Sequence, residues 1–267
     1  MTTHSENSRL YLSVGELAFA LGNQGFEQAA LDLVDANFEL SEIKDATLVL
    51  AASGQSLLVR QLVQINSDNN YSLTPPLERA AHFLAFAEQT FMCSRIEGNK
   101  AATLSFHAGP RGIIKHSTEN ELVHVIEELP NIENIAAAAA DFYDAPESAP
   151  QPISLNLAQS VAEEIRDSQD REFIEHNLSQ AGATQFIRNA LTDDLLKSRF
   201  RGSVARVDHQ KDGTSLAEHR FYLLRGETRL WLLKPKVSGT ETIIEFSPAS
   251  RLMLEEALLH VVREPVQ

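Results

Sequence analysis

Two stretches of the chain carry the same succession of hydrophobic patterns. Each begins with apolar residues at helical spacing, continues through four short segments with strand-like alternation, and ends with a second helical pattern. In the first stretch the patterns predict a helix at 77–87, strands at 90–96, 101–108, 112–116 and 121–127, and a closing helix at 132–143. In the second stretch they predict a helix at 184–198, strands at 202–208, 218–224, 229–233 and 242–246, and a closing helix at 249–262. The repeat is one of element order, because residue identity between the stretches is low.

This succession predicts an α+β fold built from two helix–antiparallel-meander–helix halves. The turns between strands are short, as at Gly226 and Glu227, which favours antiparallel neighbours over a parallel nucleotide-binding sheet. Two such halves can pack about a quasi-two-fold axis, as the subunits of a symmetric dimer do. The alternative is that two common units follow one another by chance, and the sequence leaves both interpretations open.

Helical patterns flank the two stretches. Further helices are predicted at 10–21, 26–34, 154–166 and 171–178, together with a pair of helices within 41–65. The pair is expected to break at Ser53 and Gly54. Ser13, with Glu16 three residues later, matches a capping box, and Thr74 before Pro75 indicates another helix start.

A proline-rich segment separates the two stretches. Residues 144–152 contain three prolines, which predicts a stiff and exposed linker. We therefore expect an N-terminal half at 1–143 and a C-terminal half at 153–267. Both halves are expected to belong to one compact domain.

Composition and charge restrict the class of partner. The chain has 267 residues, of which 43% are hydrophobic, and a formal net charge of -14. Because an acidic surface repels phosphate groups, we expect no nucleic-acid partner and no insertion into anionic membranes. Residues 1–9 show no signal peptide, and no apolar run approaches the roughly 20 residues of a spanning helix. A cytoplasmic location is expected.

Motifs for phosphate binding, metal binding and nucleophilic catalysis are missing from the sequence. It has no Gly-x-x-x-x-Gly-Lys-Ser/Thr loop, no Gly-x-Gly-x-x-Gly turn and no His-Glu-x-x-His pair. His124 and Glu127 are disfavoured as a metal-binding pair, because residues three apart on a strand face opposite sides. His124 is therefore expected to be an ordinary solvent-facing strand histidine. The other histidines are scattered, and Cys93, the single cysteine, is expected in the core.

Two pairs of neighbouring residues are candidates for catalysis. Asp193 and Asp194 are expected on a helix surface. Asp208 and His209 lie at the mouth of a predicted hairpin loop, where the sequence provides no third group for acid–base catalysis. We therefore predict a protein that is not an enzyme and that has no cofactor and no metal.

The strand segments 221–224 and 230–233 are apolar on both faces. One face can pack on helices, whereas the other needs cover from the second half or from a partner. Trp231 is the only tryptophan, a residue type enriched among binding anchors, although a core position is the default interpretation. These segments are the candidate binding surface.

Several segments follow one another in a characteristic order over nearly the whole chain. They are Leu12-Ser-Val-Gly-Glu-Leu17, Ala51-Ala-Ser-Gly-Gln-Ser-Leu-Leu58, Leu73-Thr-Pro-Pro-Leu77, residues 199–207 with 225–233, residues 242–248, and the final leucine-rich helix. In this order they resemble the EspG family of type VII (ESX) secretion-associated chaperones. Each segment is weakly specific by itself, so the resemblance rests on their succession.

The resemblance implies a cytosolic, non-enzymatic chaperone with a central sheet and a quasi-two-fold axis. Such a chaperone binds the apolar tip of a helical secreted protein, here a PE/PPE-, WXG100- or LXG-like substrate, and delivers it to the secretion machinery. We place the cargo surface on the second meander and the 208–215 loop. Its candidate residues are Phe221, Leu223, Trp231, Leu233, Asp208, His209 and Lys211. The alternative is a dimeric scaffold, regulatory or immunity-type binding module, which would form a homodimer.

Overall fold

Antiparallel strands and flanking helices make up the protein. The computed structural model describes residues 9–38, 43–68, 70–120, 122–149, 154–210 and 214–264. The helices are α1 (Val14–Asn23), α2 (Glu27–Asn37), α3 (Ile43–Val59), α4 (Pro75–Phe86), α5 (Glu133–Phe142), α6 (Gln159–Asp167), α7 (Arg171–Gln180), α8 (Gln185–Leu196) and α9 (Arg251–Arg263). The strands are β1 (Leu10–Ser13), β2 (Val63–Ile65), β3 (Tyr71–Leu73), β4 (Gln89–Glu97), β5 (Lys100–Gly109), β6 (Gly112–Glu119), β7 (Val123–Leu129), β8 (Leu155–Ala158), β9 (Phe200–His209), β10 (Ser215–Arg225), β11 (Leu230–Ser238) and β12 (Glu241–Ala249). The protein has the predicted α+β fold.

The chain packs as two units that interleave along the sequence. The first comprises Met1–Thr90, Ser105–Asn131 and His209–Thr214, and the second comprises Phe91–Leu104, Ile132–Asp208 and Ser215–Gln267. The halves predicted from the sequence follow chain order instead, so they and their quasi-two-fold axis stay predictions. Within the described ranges, no helix is both long and apolar enough to span a bilayer.

In the first unit, β1, β7, β6 and β5 are hydrogen bonded in that order. The predicted capping box joins β1 to α1: Ser13 Oγ accepts from the Glu16 N–H at 3.2 Å, and the Glu16 carboxylate accepts from the Ser13 N–H at 2.9 Å. Arg60 donates to the same carboxylate at 2.6 Å. Burial alone would raise the pKa of Glu16, but the hydrogen bonds from Ser13, Arg60 and Ser56 together lower it.

In the second unit, β4, β9, β10, β11, β12 and β8 are hydrogen bonded in that order. One sheet face packs on α6, α7 and α8, with Leu224 and Trp231 among the buried residues of that core. On the opposite face, α5 and α9 pack together. There the fully buried Arg206 donates from Nη1 to the carbonyl oxygens of Val261 and Glu264 at 3.1 and 2.7 Å. Helices therefore cover both faces of the central strands.

The predicted helix break at Ser53 and Gly54 is wrong. α3 passes through both residues without interruption, and Ser53 donates to the carbonyl of Val49 one turn earlier at 2.8 Å. Gly54 serves a close approach between elements, since a Cβ there would lie 2.6 Å from the ring of Phe19. The prediction also extended the second helix to residue 65, but residues 63–65 form β2; residues 41–42 lie outside the described part.

Two helices begin later than predicted, because a short strand precedes each. Residues 10–13 form β1, which pairs with β7, and residues 155–158 form β8, which pairs with β12. Leu155 and Leu157 face Phe246 and Ile244 across this pair. When apolar and polar residues alternate over only four positions directly before a helix, the same positions also fit helical spacing. The hydrophobic pattern alone therefore did not distinguish the strand from the first turn of the helix.

Smaller expectations are confirmed. Thr74 is the N-cap residue of α4 and Pro75 lies in its first turn, although the Thr74 side chain makes no capping hydrogen bond. Cys93 is buried, and burial raises the pKa of its thiol to about 12.

The expected surface position is right for Asp193 and wrong for Asp194. Asp193 is about half exposed and pairs with Arg171. Asp194 is only 4% exposed, and its Oδ2 accepts from Trp231 Nε1 at 2.8 Å and from Arg229 Nε at 2.7 Å. The indole and the carboxylate therefore satisfy each other inside the core of the second unit.

Replacing Asp194 with Ala is expected to lower the free energy of unfolding by about 3–5 kcal/mol, because a partly buried Arg229 and a buried indole N–H lose their acceptor. Trp231→Phe removes one donor and leaves Arg229 paired, so a smaller loss of about 1–3 kcal/mol is expected. Urea unfolding followed by circular dichroism measures both changes.

The matched control is Asp193→Ala on the same helix, which removes an exposed ion pair and should cost less than about 1 kcal/mol. Equal losses for Asp193→Ala and Asp194→Ala would contradict the structural role of Asp194.

Candidate functional site

An open cleft of about 380 Å³ lies in the second unit, on the sheet face that also packs against α6 and α8. Its volume falls within the roughly 300–1,000 Å³ typical of ligand sites. The residues that line it come from β4, β9, β10, β11, β12, α6 and α8. They are Ser94, Ile96, Gln159, Ala162, Glu163, Arg166, Leu195, Arg201, Gly202, Ser203, Tyr222, Leu223, Leu224, Leu233, Ile244 and Phe246.

The floor of the cleft is a row of side chains across three strands. The register places Tyr222 opposite Leu233 and Leu233 opposite Phe246, so alternation along each strand brings these side chains to one face. Further along the same face, Leu224 and Trp231 are covered by helices. Tyr222 keeps 40% of its surface exposed, so the cleft begins where the helical cover ends.

Helix α6 forms one wall of the cleft. Ala162 and Ile165 are its buried residues and attach the helix to the core. Gln159, Glu163 and Arg166 also line the cleft, and Gln159 donates to the Glu163 carboxylate at 2.8 Å. The wall is therefore polar toward solvent and apolar toward the floor.

Two arginines give the rim its positive groups. Arg166 donates two hydrogen bonds of 2.8 Å to the Asp167 carboxylate, and its guanidinium lowers the pKa of Asp167. Arg201 on β9 lies 3.9 Å from the same carboxylate. On the cleft floor, Ser94 and Ser203 share a hydrogen bond of 2.8 Å.

Two of the four predicted apolar site residues line the cleft, and the other two do not. Leu223 and Leu233 line the cleft, but only Leu233 is partly exposed, because Leu223 is as buried as Phe221. Phe221 is 2% exposed and Trp231 is 3% exposed, so a partner cannot reach either side chain in this conformation. Trp231 is held in the core by Asp194, which makes the default core interpretation of this residue the right one.

The predicted polar site residues do not join the cleft. Asp208 is paired with the buried Arg206 at 2.8 Å in the second unit. In the first unit, His209 Nε2 is 3.0 Å from Thr90 Oγ1. Lys211 lies outside the described residues.

Sequence reasoning missed a row of histidines in the first unit. His116 Nε2 and His124 Nδ1 are 2.8 Å apart with stacked rings, and the rings of His107 and His116 are 6.1 Å apart. His107 also lies 3.0 Å from Ser105 Oγ and 3.3 Å from Thr90 Oγ1. The expectation that His124 faces solvent is wrong, since this residue is only 7% exposed. The available signal was a histidine on each of three consecutive predicted strands.

Burial determines the charge state of this histidine row. It lowers the pKa of His107 to about 4 and that of His116 to about 3, with smaller contributions from neighbouring histidines. Burial also lowers the pKa of His124. The row is therefore neutral near pH 7. Among the described residues, no group of three or more histidine, cysteine, aspartate and glutamate side chains is placed to hold a metal ion.

Comparison with solved structures shows the class of fold. The structure of the Mycobacterium tuberculosis type VII secretion system chaperone EspG5, in complex with the PE25–PPE41 dimer, matches with a TM-score of 0.70 at 10% sequence identity. The match covers 96% of this chain and 96% of that chain. The protein therefore has an EspG5-like fold, which the resemblance in sequence had implied.

Comparison of sequences shows the family of the chain. A family model described as "Uncharacterised protein YfjC" matches residues 9–253, and the chain belongs to this family. The chain is also similar to the uncharacterized protein YfjC of Bacillus subtilis strain 168, with 24% identity over 231 residues. That alignment covers 83% of this chain and 89% of the relative.

The neutral histidine row predicts a pH dependence of stability. The unfolded chain takes up protons at these histidines below about pH 6.5, whereas the folded state keeps them neutral to lower pH, so acid favours unfolding. His116→Gln should therefore reduce the loss of unfolding free energy between pH 7 and pH 5 by about 1–2 kcal/mol. Urea titrations at both pH values measure this difference.

The control is His176→Gln, which replaces an exposed histidine on α7 and should leave the pH dependence at the wild-type value. A pH dependence of stability that His116→Gln does not change would contradict the lowered pKa of His116 in the folded state.

Proposed function

We propose that the protein is a non-enzymatic chaperone or adaptor that holds the apolar face of a helical protein segment in the cleft of the second unit. The observation that carries this proposal is the pair of Tyr222 and Leu233, which continues the core surface around the buried Phe246 beyond the helices into an open cleft. An apolar surface that is partly open to water and rimmed by polar groups is typical of an interaction site.

The rigidity of the floor supports this role. Three hydrogen-bonded strands fix the positions of the lining side chains, so little conformational entropy is lost when a partner binds. Ile96 at the edge is 57% exposed and Tyr222 is 40% exposed, which leaves apolar area for a partner to cover. A cleft of this size accepts a few side chains from one helix face rather than a folded domain.

The fold supports the choice of partner. EspG5, whose fold this chain shares, was solved as a type VII secretion system chaperone in complex with the PE25–PPE41 dimer. By analogy, the partner here is a helical secreted protein of PE/PPE-, WXG100- or LXG-like type, bound in the cytoplasm before export. The chaperone would shield an apolar helical tip from aggregation until the secretion machinery takes it over.

Tyr222→Glu and Ile96→Glu should abolish the capture of this partner, because each places a charge against the apolar helix face. The tagged protein is purified from its native cytosol, and the bound proteins are identified and quantified by mass spectrometry. A supporting result is a small helical protein, recovered in a fixed ratio with wild type, that also occurs in the culture medium and is lost with both variants.

Val237→Glu is the matched control, since it adds the same charge on β11 at a side chain that is 82% exposed and does not line the cleft. It should leave capture unchanged. Recovery of only a second copy of the protein would contradict the proposal and favour the dimeric binding module.

A further inference from the structure

Arg201 is the incompletely paired cation of the cleft. Its guanidinium lines the cleft, its side chain is 37% exposed, and among the described residues its ion pair is to Asp167 at 3.9 Å. This separation is longer than the roughly 2.7–3.2 Å of a hydrogen bond. Arg166 lies closer to Asp167 and donates two hydrogen bonds of 2.8 Å to its carboxylate, so Arg201 makes only a longer ion pair to this shared group.

Other arginines of the second unit are better matched. Arg199, Arg206 and Arg229 each hold a carboxylate, at 2.8, 2.8 and 2.7 Å respectively. A guanidinium presents five N–H donors in a planar fork that fits a carboxylate with two hydrogen bonds. Arg201 therefore retains donors at the edge of an apolar floor, in a chain whose net charge is -14.

Among the described residues, Glu163 is the one acidic residue that lines the cleft, and it forms no ion pair with Arg201. Glu163 lies on α6, where its carboxylate accepts from Gln159 at 2.8 Å. A partner with a lysine near its apolar residues would meet both rim arginines. A partner with a carboxylate would instead supply the acceptor that Arg201 lacks.

We propose that the cleft selects a helical protein segment that carries an aspartate or glutamate beside its apolar face, with the carboxylate bound by Arg201. Helix geometry permits this arrangement, because side chains three or four residues apart lie about 5–6 Å from each other on one face. The apolar residue then enters the row of Tyr222 and Leu233, and the acidic residue one turn away reaches the rim. This inference names the partner chemistry of the proposed chaperone site and rests on that function.

Two fluorescein-labelled helical peptides test the selection, each about 18 residues long with the same leucine stripe. One carries glutamates beside the stripe and the other carries lysines at the same positions. Fluorescence anisotropy should show that the full-length protein binds the glutamate peptide at least about tenfold more tightly. Arg201→Glu should remove or reverse this preference, and Arg201→Lys should retain part of it. The control is Lys100→Glu, which makes the same change of charge at an exposed residue outside the cleft and should leave the preference intact.

Tyr222→Glu separates failure of this inference from failure of the proposed function. If both peptides bind equally and Tyr222→Glu weakens both, the apolar cleft binds helices but the acidic selection is overturned. A preference that survives Arg201→Glu overturns it as well. Binding of neither peptide also overturns the acidic selection, whereas the cytosolic capture experiment still decides the proposed function independently.

Discussion

Strands with apolar side chains on both faces are stable in water only when both faces are covered, and the second unit is built around this constraint. α5 and α9 pack on one face of the sheet, where the buried Arg206 ties β9 to the end of α9. On the other face α6, α7 and α8 cover Leu224 and Trp231 but leave Tyr222 partly exposed. The cleft is thus the part of an apolar sheet face that the chain itself does not cover.

The buried pair of Asp194 and Trp231 fixes where that cover ends. Asp194 on α8 accepts hydrogen bonds from the indole of Trp231 and the guanidinium of Arg229, which attaches the helix to β11 at a defined position. Gly226 allows the same approach, because a Cβ there would overlap the Asp194 carboxylate. A buried charged pair is weak evidence for stability but can specify one packing arrangement over others. Here it attaches α8, which contributes Leu195 to the cleft, to β11.

The sequence was sufficient for the α+β class, for most element positions and for the apolar strands of the second meander, because these follow from local periodicity. It was insufficient where tertiary contacts decide. Gly54 reads as a helix break but accommodates Phe19, and Asp194 reads as surface but pairs with Trp231. Phe221, Leu223 and Leu233 belong to apolar strands, yet only Leu233 both lines the cleft and is partly exposed, since helix packing determines what stays open. Hydrophobicity identified the correct strands without identifying the accessible residues.

The strand that precedes α1 and the strand that precedes α6 each pair with a strand whose residues differ in chemistry. In the first unit, Leu12 lies two residues before the start of α1 and pairs with His124. In the second unit, Leu157 lies two residues before the start of α6 and pairs with Ile244. On the next strand, His116 lies opposite Ile126, and Leu233 lies opposite Phe246. Leu233 and Ile244, which line the cleft of the second unit, therefore correspond to His116 and His124 of the neutral histidine row in the first, whereas Phe246 corresponds to the buried Ile126. A polar row satisfied by its own hydrogen bonds gains little from an apolar partner, because binding would desolvate groups that it cannot pair. If the protein binds an apolar helix, this difference assigns the binding to the second unit alone.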